Sequence, residues 1–116
     1  MTRPIEITKV ADFRREVERS SEPALVMFTT TWCPFCRRFK PKFLESASKA
    51  DVRCVIAYID DWENPLWDEY KVDVVPTLVL FENGKPVYRR DGVLGRGLGE
   101  RDIADILSRV PQTPRP

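Results

Sequence analysis

Cys33 and Cys36 stand three positions apart, after an apolar run and before a segment with helical patterning. A helix N-terminus has unpaired N–H groups and a partial positive charge, and both stabilise a thiolate relative to a thiol. A thiolate is the attacking species in thiol–disulfide exchange. The pair is therefore predicted to be a redox-active dithiol. Cys33 is expected to be the nucleophile, exposed to solvent at the helix N-terminus, and Cys36 to resolve the mixed disulfide.

Other roles for this cysteine pair remain open, because the same spacing occurs in zinc half-sites and among core cysteines. Its position in a β–α–β pattern favours redox chemistry. The chain has no histidine, which excludes Ser–His and Cys–His nucleophile pairs and most zinc enzymes. Three cysteines are too few for a four-thiolate site within one chain. The alternatives are a non-catalytic binding domain, or a dimer that bridges a metal or iron–sulfur cluster through Cys33 and Cys36.

The composition limits the class of protein. The chain has 116 residues, of which 42% are hydrophobic and 32% charged, as expected for one globular domain with its own core. Its formal net charge of +1 argues against a dedicated nucleic-acid surface. The charged N-terminal segment does not look like a signal peptide, and no apolar run is long enough to cross a membrane. We therefore expect a cytoplasmic monomer without nucleic-acid or membrane partners.

The hydrophobic pattern predicts nine elements in the order β-α-β-α-β-α-β-β-α. The expected strands are Ile5–Val10, Ala24–Thr30, Val52–Ile59, Thr77–Phe81 and Pro86–Arg90, and the expected helices are Ala11–Arg19, Arg37–Ala50, Asn64–Tyr70 and Glu100–Val110. Asn83-Gly84 predicts a type I′ hairpin turn between the last two strands. Strands that alternate with helices pair in parallel, and the hairpin adds an antiparallel edge. The prediction is an α/β fold with a mixed sheet and helices on both faces.

Three further features have structural interpretations. Cys54 lies in the middle of a predicted strand, so we expect a buried, inert thiol. The acidic run from Asp60 to Glu63 is expected to be a solvated loop. Its Trp62, like Trp67, is expected to be a core or partly exposed packing residue rather than a binding platform. The glycines between positions 92 and 99 lack the spacing of a nucleotide-binding loop and predict a flexible connection.

Two separated motifs together resemble the thioredoxin family over about residues 5–110. They are Trp32-Cys33-Pro34-Phe35-Cys36, with Pro41 inside the following helix, and Val75-Pro76-Thr77-Leu78-Val79-Leu80-Phe81 followed by Asn83-Gly84. The resemblance implies the thioredoxin fold, with about five strands in a central mixed sheet between two layers of helices. It further implies one domain over residues 1–110, and the proline-rich residues 111–116 are expected to form a flexible tail.

The same resemblance implies a thiol–disulfide oxidoreductase that acts on protein disulfides as a reductase or redox carrier. It would be reduced by an unidentified reductase and would need no cofactor beyond the Cys33–Cys36 disulfide. Pro76 would follow a cis peptide bond beside the cysteine pair. The implied substrate-binding residues are Trp32, Pro34, Phe35, Val75, Pro76 and Gly92.

The sequence departs from the family pattern near the cysteines. Met27 stands where the family has a buried aspartate, and Ile56 matches the position of its lysine partner. We therefore expect no buried acid–base relay, and water as the carrier of the Cys36 proton. Pro34-Phe35 differs from the Gly-Pro of typical thioredoxins and is closer to the Pro-Tyr of glutaredoxins. Glutaredoxin-like, oxidase and isomerase activities remain alternatives at this stage.

Overall fold

Five strands form one sheet in this computed structural model, which describes residues 3–110. The strands are β1 (Ile5–Ile7), β2 (Ala24–Thr29), β3 (Arg53–Tyr58), β4 (Thr77–Glu82) and β5 (Lys85–Arg90). The helices are α1 (Val10–Phe13), continued by a π-helical turn (Arg14–Glu18), then α2 (Pro34–Lys49), α3 (Leu66–Glu69) and α4 (Glu100–Leu107). The sheet order is β1-β3-β2-β4-β5. The predicted α/β thioredoxin fold is confirmed.

The pairing of the strands follows from their connections. β1, β3 and β2 run parallel, whereas β4 is antiparallel to both β2 and β5. Each parallel step contains a helical crossover, and a hairpin joins β4 to β5. Because all six residues of β2 are buried, both faces of this strand must be covered. The carboxyl end of β2 is thus held at the centre of the molecule, directly before Cys33.

The two faces of the sheet bury separate hydrophobic clusters. Val26 and Phe28 of β2 point into one cluster, which includes Phe13 and Trp67 from the α1 and α3 side. Alternate residues of the same strand, among them Met27, point into the other cluster, which α2 and α4 cover. This alternation is the two-residue period of a strand buried on both faces.

Most element boundaries differ from the predictions by one to three residues. The first strand ends at Ile7 rather than Val10, because the helix already begins at Val10. Helix α2 begins at Pro34 rather than Arg37, because the Cys33 side chain caps it. The short third helix and the last helix end earlier than predicted, at Glu69 and Leu107.

The segment predicted as one helix over Ala11–Arg19 forms a single α-helical turn followed by a π-helical turn. The Arg19 N–H donates to the carbonyl of Arg14, five residues back, at 2.9 Å. The guanidinium of Arg53 on β3 donates to both the carbonyl and the carboxylate of Glu16 at 2.6 Å. This contact holds the wide turn, and periodicity along the helix could not show it, because the donor comes from a strand distant in sequence.

The predicted hairpin turn is present between β4 and β5. Asn83 and Gly84 have φ values of 52° and 75°, as a type I′ turn requires. A Cβ atom on Gly84 would lie 2.0 Å from the carbonyl oxygen of Glu18. Glycine is therefore needed here for both its positive φ and the close approach of the π-helical turn.

Two predictions concern segments at the ends of the chain. The tail predicted at residues 111–116 lies outside the described range of 3–110, as do residues 1 and 2 of the predicted domain. Within that range, no helix is both long and apolar enough to pass through a membrane.

Candidate active site

Cys33 is the N-cap residue of α2. Its backbone is extended, and its Sγ accepts a hydrogen bond from the Cys36 N–H at 3.2 Å. Pro34 occupies the first helical position, where a missing N–H costs nothing. The sulfur therefore lies at the N-terminal, positive end of the helix, a position that favours a thiolate.

Cys33 is less exposed than the sequence indicated. It is 6% exposed and Cys36 is 2% exposed, so the order of exposure is as predicted but the difference is small. The reason is a contact on the other side of the sulfur, since the Cys33 thiol donates to the Val75 carbonyl at 3.5 Å. A substrate must therefore approach over the edge formed by α2 and the Val75 segment.

Cys36 is a buried thiol within the first turn of α2. Burial raises its pKa well above the ordinary value, and the hydrogen bond with Cys33 raises it further. Contacts with Thr29 and the Thr30 backbone oppose this shift only in part. Cys36 is therefore a protonated thiol at neutral pH, and it must lose a proton before it can attack another sulfur.

The Val75–Pro76 peptide bond is cis and lies beside the cysteine pair, which confirms the expectation from the resemblance. Thr77 holds this segment in place through two hydrogen bonds. Its hydroxyl donates to the Val74 carbonyl at 2.6 Å and accepts from the Gly92 N–H at 3.3 Å. Thr77 is thus a positioning residue that the motif contained but that sequence reasoning treated only as part of a strand.

The six residues predicted to bind substrate differ in exposure. Trp32 is 46% exposed, and Pro34 is also exposed. Phe35 and Gly92 are partly buried, whereas Val75 and Pro76 are buried. Pro34 and Phe35 lie in α2, and Trp32 lies just before it. The other three residues lie in two loops next to the start of α2, so all six share one side of the molecule. Only backbone atoms of the Val75–Pro76 segment can be offered to a substrate.

The glycine-rich connection, which the sequence predicts to be flexible, contains a backbone bridge. Val93 and Gly97 form a two-way backbone bridge at 3.1 and 2.7 Å, and Gly97 packs against the Phe35 ring. The bridge presents Leu94 at its tip with 86% of its surface exposed. Sequence patterning missed this apolar tip, because the contact between Gly97 and Phe35 joins segments more than sixty positions apart.

A solvent-open cavity of about 230 Å³ is lined in part by Cys36. Its lining residues are Thr29, Thr30, Thr31, Cys36, Arg37, Lys40 and Tyr58. The Thr30 hydroxyl is buried and has no hydrogen-bond partner within residues 3–110. One water occupies about 30 Å³, so the cavity can hold several.

Lys40 at this cavity is already paired with neighbouring polar groups. Lys40 donates to the Tyr58 hydroxyl at 2.8 Å, and that hydroxyl donates to Glu6 at 2.6 Å. The hydrogen bond from Tyr58 lowers the pKa of Glu6. Glu6 is thus a weakened base.

Met27 and Ile56 are fully buried neighbours on β2 and β3. Both belong to the apolar cluster beneath α2, together with Phe39 and Phe43. No carboxylate or ammonium group therefore occupies these two positions, as the sequence indicated.

Cys54 is the third free thiol. It is buried on β3 among the residues of the α2-side cluster, and its thiol contacts the Val52 carbonyl at 3.6 Å. Burial raises the pKa of Cys54 to about 11. Both observations support its interpretation as an inert packing residue.

The fold and site together define a class of α/β proteins. Its members hold a dithiol at the N-terminus of a helix, after a central strand and against a cis-prolyl peptide. Thiol–disulfide exchange is the chemistry that this arrangement of two sulfurs supports.

Comparisons with known proteins identify the family within this class. The thioredoxin family model matches residues 4–104. A thioredoxin from Mycobacterium tuberculosis strain H37Rv is 34% identical over 98 residues, covering 84% of each chain. A bifunctional thioredoxin reductase/thioredoxin from Mycobacterium leprae is 36% identical over 104 residues, covering 89% of this chain but only 22% of that protein. The structure of a mutant thioredoxin from Halobacterium salinarum has a TM-score of 0.76 at 25% identity, covering 97% of this chain and 95% of that one.

The chain belongs to the thioredoxin family of thiol–disulfide oxidoreductases. It spans about a fifth of the length of the Mycobacterium leprae relative and most of the length of the Mycobacterium tuberculosis thioredoxin. These relatives favour the oxidoreductase interpretation over a non-catalytic binding domain or a cluster-bridging dimer.

Proposed function

We propose that this protein reduces protein disulfides through the Cys33–Cys36 dithiol, as a reductase or redox carrier in electron transport and redox homeostasis. The observation that carries the proposal is the position of the Cys33 sulfur. It caps α2 at 3.2 Å from the Cys36 N–H and lies 3.5 Å from the carbonyl before the cis-proline. The helix field favours its thiolate, and the neighbouring backbone offers a guide for an extended substrate.

The exchange proceeds in two displacements. The Cys33 thiolate forms a bond to one sulfur of a substrate disulfide, and the other substrate sulfur leaves as a thiolate. The Cys36 thiolate then bonds to the Cys33 sulfur and releases the second substrate thiolate. Two electrons pass to the substrate, and a Cys33–Cys36 disulfide remains. An unidentified reductase would return two electrons, and no further cofactor is required.

Proton release from Cys36 is the step that burial makes difficult. We propose that water in the cavity beside Thr30 and Cys36 accepts this proton, since Met27 and Ile56 supply no relay. The cavity opens to solvent, so the proton can leave without a second titratable side chain.

Substrate binding would use the exposed rings and backbone around the cysteines. Trp32, Pro34 and Phe35 offer apolar area, while Val75 and Pro76 offer backbone groups. Gly92 would contribute because it has no side chain, since an added Cβ atom would collide with the Pro76 carbonyl oxygen. A single domain over residues 1–110 that acts as a cytoplasmic monomer completes the proposal.

Insulin reduction with dithiothreitol as the electron source tests the proposed activity. We expect precipitation of the insulin B chain at a rate well above that of dithiothreitol alone. Equal rates with and without the protein would reject it. The Cys33–Cys36 potential against a glutathione buffer then separates a reductase from an oxidase or isomerase. We expect a value between about −270 and about −200 mV, the range from thioredoxin to glutaredoxins.

Gly92→Ala is predicted to lower turnover by about tenfold and stability by about 1–3 kcal/mol, the usual cost of overpacking. The added Cβ would lie 2.4 Å from the Pro76 carbonyl oxygen and 3.2 Å from Val74, so the cis-prolyl segment must shift. Insulin reduction and chemical denaturation measure the two effects. Gly99→Ser is the matched control, because Gly99 has open space and an extended φ of −138°. Equal behaviour of the two variants would contradict the role given to Gly92.

A further inference from the structure

Three tryptophans contact one another in series beside the cysteine pair, the first two tilted and the last two stacked. The Trp32 and Trp62 ring centroids are 5.1 Å apart, and those of Trp62 and Trp67 are 4.6 Å apart. We call these three residues the tryptophan ladder. It begins at Trp32, the residue before Cys33, continues with Trp62 in the loop after β3 and ends at Trp67 in α3.

Both ends of the ladder are fixed by hydrogen bonds. The Trp32 indole N–H donates to the Asp60 carbonyl at 3.2 Å. The Trp67 indole N–H donates to the carbonyls of Ile59 and Asp61 at 2.9 and 3.1 Å. Asp60 also accepts hydrogen bonds from the Thr31 N–H and hydroxyl, which ties the loop to the chain before the site. The rings are thus held in place before any ligand arrives, which reduces the entropy lost on binding.

The middle ring of the ladder is the most exposed. Trp62 is 68% exposed and Trp32 is 46% exposed, while Trp67 beneath them is buried. The sequence indicated a core or partly exposed packing residue, and Trp62 does contact Trp32 and Trp67, but these contacts leave most of its surface exposed. Exposed aromatic rings of this kind are typical anchor positions of interaction surfaces.

Unpaired carboxylates accompany the exposed rings. Asp61 and Glu63 flank Trp62 in the chain, and both are exposed. Neither has a basic side chain within ion-pairing distance in the described part of the chain. One Asp61 oxygen accepts the Glu63 N–H at 2.9 Å, so that carboxylate is held in a fixed place.

Aromatic faces and carboxylates together select cations. A guanidinium can stack on an indole face while its N–H groups pair with a carboxylate, and an ammonium makes the same contacts less well. We propose that the ladder and its two carboxylates form a subsite for a basic side chain of the substrate, best an arginine. This inference rests on the proposed function, because it places that side chain near the target cysteine.

The reach of the subsite follows from the geometry of an extended chain. Trp32 is the residue before Cys33, and the centroids of the Trp32 and Trp62 rings are 5.1 Å apart. An extended peptide rises about 3.3 Å per residue, so the basic side chain would stand about two to four residues from the target cysteine.

Synthetic peptides test this preference directly. Each carries one cysteine joined by a disulfide to a coloured aromatic thiol, with Arg, Gln or Glu three residues to either side. Attack by Cys33 on the peptide sulfur releases the coloured thiolate, so its rate reports on exchange. We expect the Arg peptide to exceed the Glu peptide by about tenfold in kcat/KM at low salt, through KM. About 0.5 M salt should reduce the preference to below about threefold.

Variants assign the preference to the ladder. Trp62→Ala and Glu63→Gln should each reduce the ratio of Arg to Glu peptide by about threefold or more, whereas Trp62→Phe should retain most of it. Glu45→Gln removes an exposed carboxylate on α2 that lies about 14 Å beyond Cys36 along the helix, and it should leave the ratio unchanged. Equal rates for all peptides, or an equal loss in Glu45→Gln, would overturn the proposal.

A binding measurement separates this inference from the proposed activity. Peptides with serine in place of cysteine should quench tryptophan fluorescence, and the Arg peptide should bind more tightly than the Glu peptide. Such a difference without any exchange would support the subsite and reject the activity. Exchange without any difference in rate or binding would support the activity and reject the subsite.

Discussion

Cys33→Ser is expected to reduce insulin-disulfide reduction to the rate of dithiothreitol alone. Cys33 provides the sulfur at the positive end of α2, and a hydroxyl in its place cannot form the mixed disulfide. The variant should fold normally, because serine is a favourable N-cap residue and can accept the same Cys36 N–H. Turnover is measured by insulin precipitation, and folding by chemical denaturation.

Matched cysteine variants make this result specific. Without dithiothreitol, the reduced Cys36→Ser variant should release about one equivalent of substrate thiol and then stop, since the resolving thiol is missing. Cys54→Ala should retain wild-type turnover, because that thiol is buried on β3 outside the site. Substantial turnover by Cys33→Ser, or a comparable loss in Cys54→Ala, would contradict the assignment of the nucleophile.

Met27→Asp is expected to lower the free energy of unfolding at pH 7 by about 3–5 kcal/mol, the cost of a buried charge without a partner. Met27 is fully buried, with Ile56 beside it on β3 and Leu78 beside it on β4. An aspartate there would reproduce the carboxylate of the family pattern but not its lysine partner. Urea denaturation of the variant and wild type measures the difference.

The pH dependence of this loss of stability shows whether it comes from the charge of the aspartate or from the changed shape of the side chain. Burial raises the folded-state pKa of a carboxyl above the unfolded value of about 3.9. The folded variant therefore binds more protons than the unfolded chain between these two values, and its stability falls as pH rises through them. The penalty should be smaller at about pH 4.5 than at pH 7. Met27→Asn is the neutral control, and its penalty should not change with pH. An equal change in both would contradict the explanation.

The element order and the site motif were predictable from local patterns. Continuous apolar runs indicated buried central strands at β2, β3 and β4, and the Asn83-Gly84 pair indicated the hairpin. The position of Cys33 at a strand–helix junction followed from the same patterns. The cis peptide before Pro76 came from the family resemblance, since the residues alone favour trans.

The features that were missed depend on contacts between distant segments. Arg53, on strand β3, donates a hydrogen bond to the π-helical turn, and Gly97 packs on Phe35. Trp62 stands in an acidic run that indicated a solvated loop, and it was itself predicted to be a packing residue. Its role in the ladder required the fold to bring it between Trp32 and Trp67. Local periodicity has no access to such pairs.

The attacking sulfur can be located by trapping Cys36→Ser with a disulfide peptide and mapping the adduct by mass spectrometry. The resolving thiol is absent, so the first mixed disulfide should accumulate. We predict that nearly all of the peptide is attached to Cys33, and that Cys54 remains free. An adduct mainly on Cys54, or no adduct under conditions in which small thiols react, would contradict a nucleophile at the helix N-terminus.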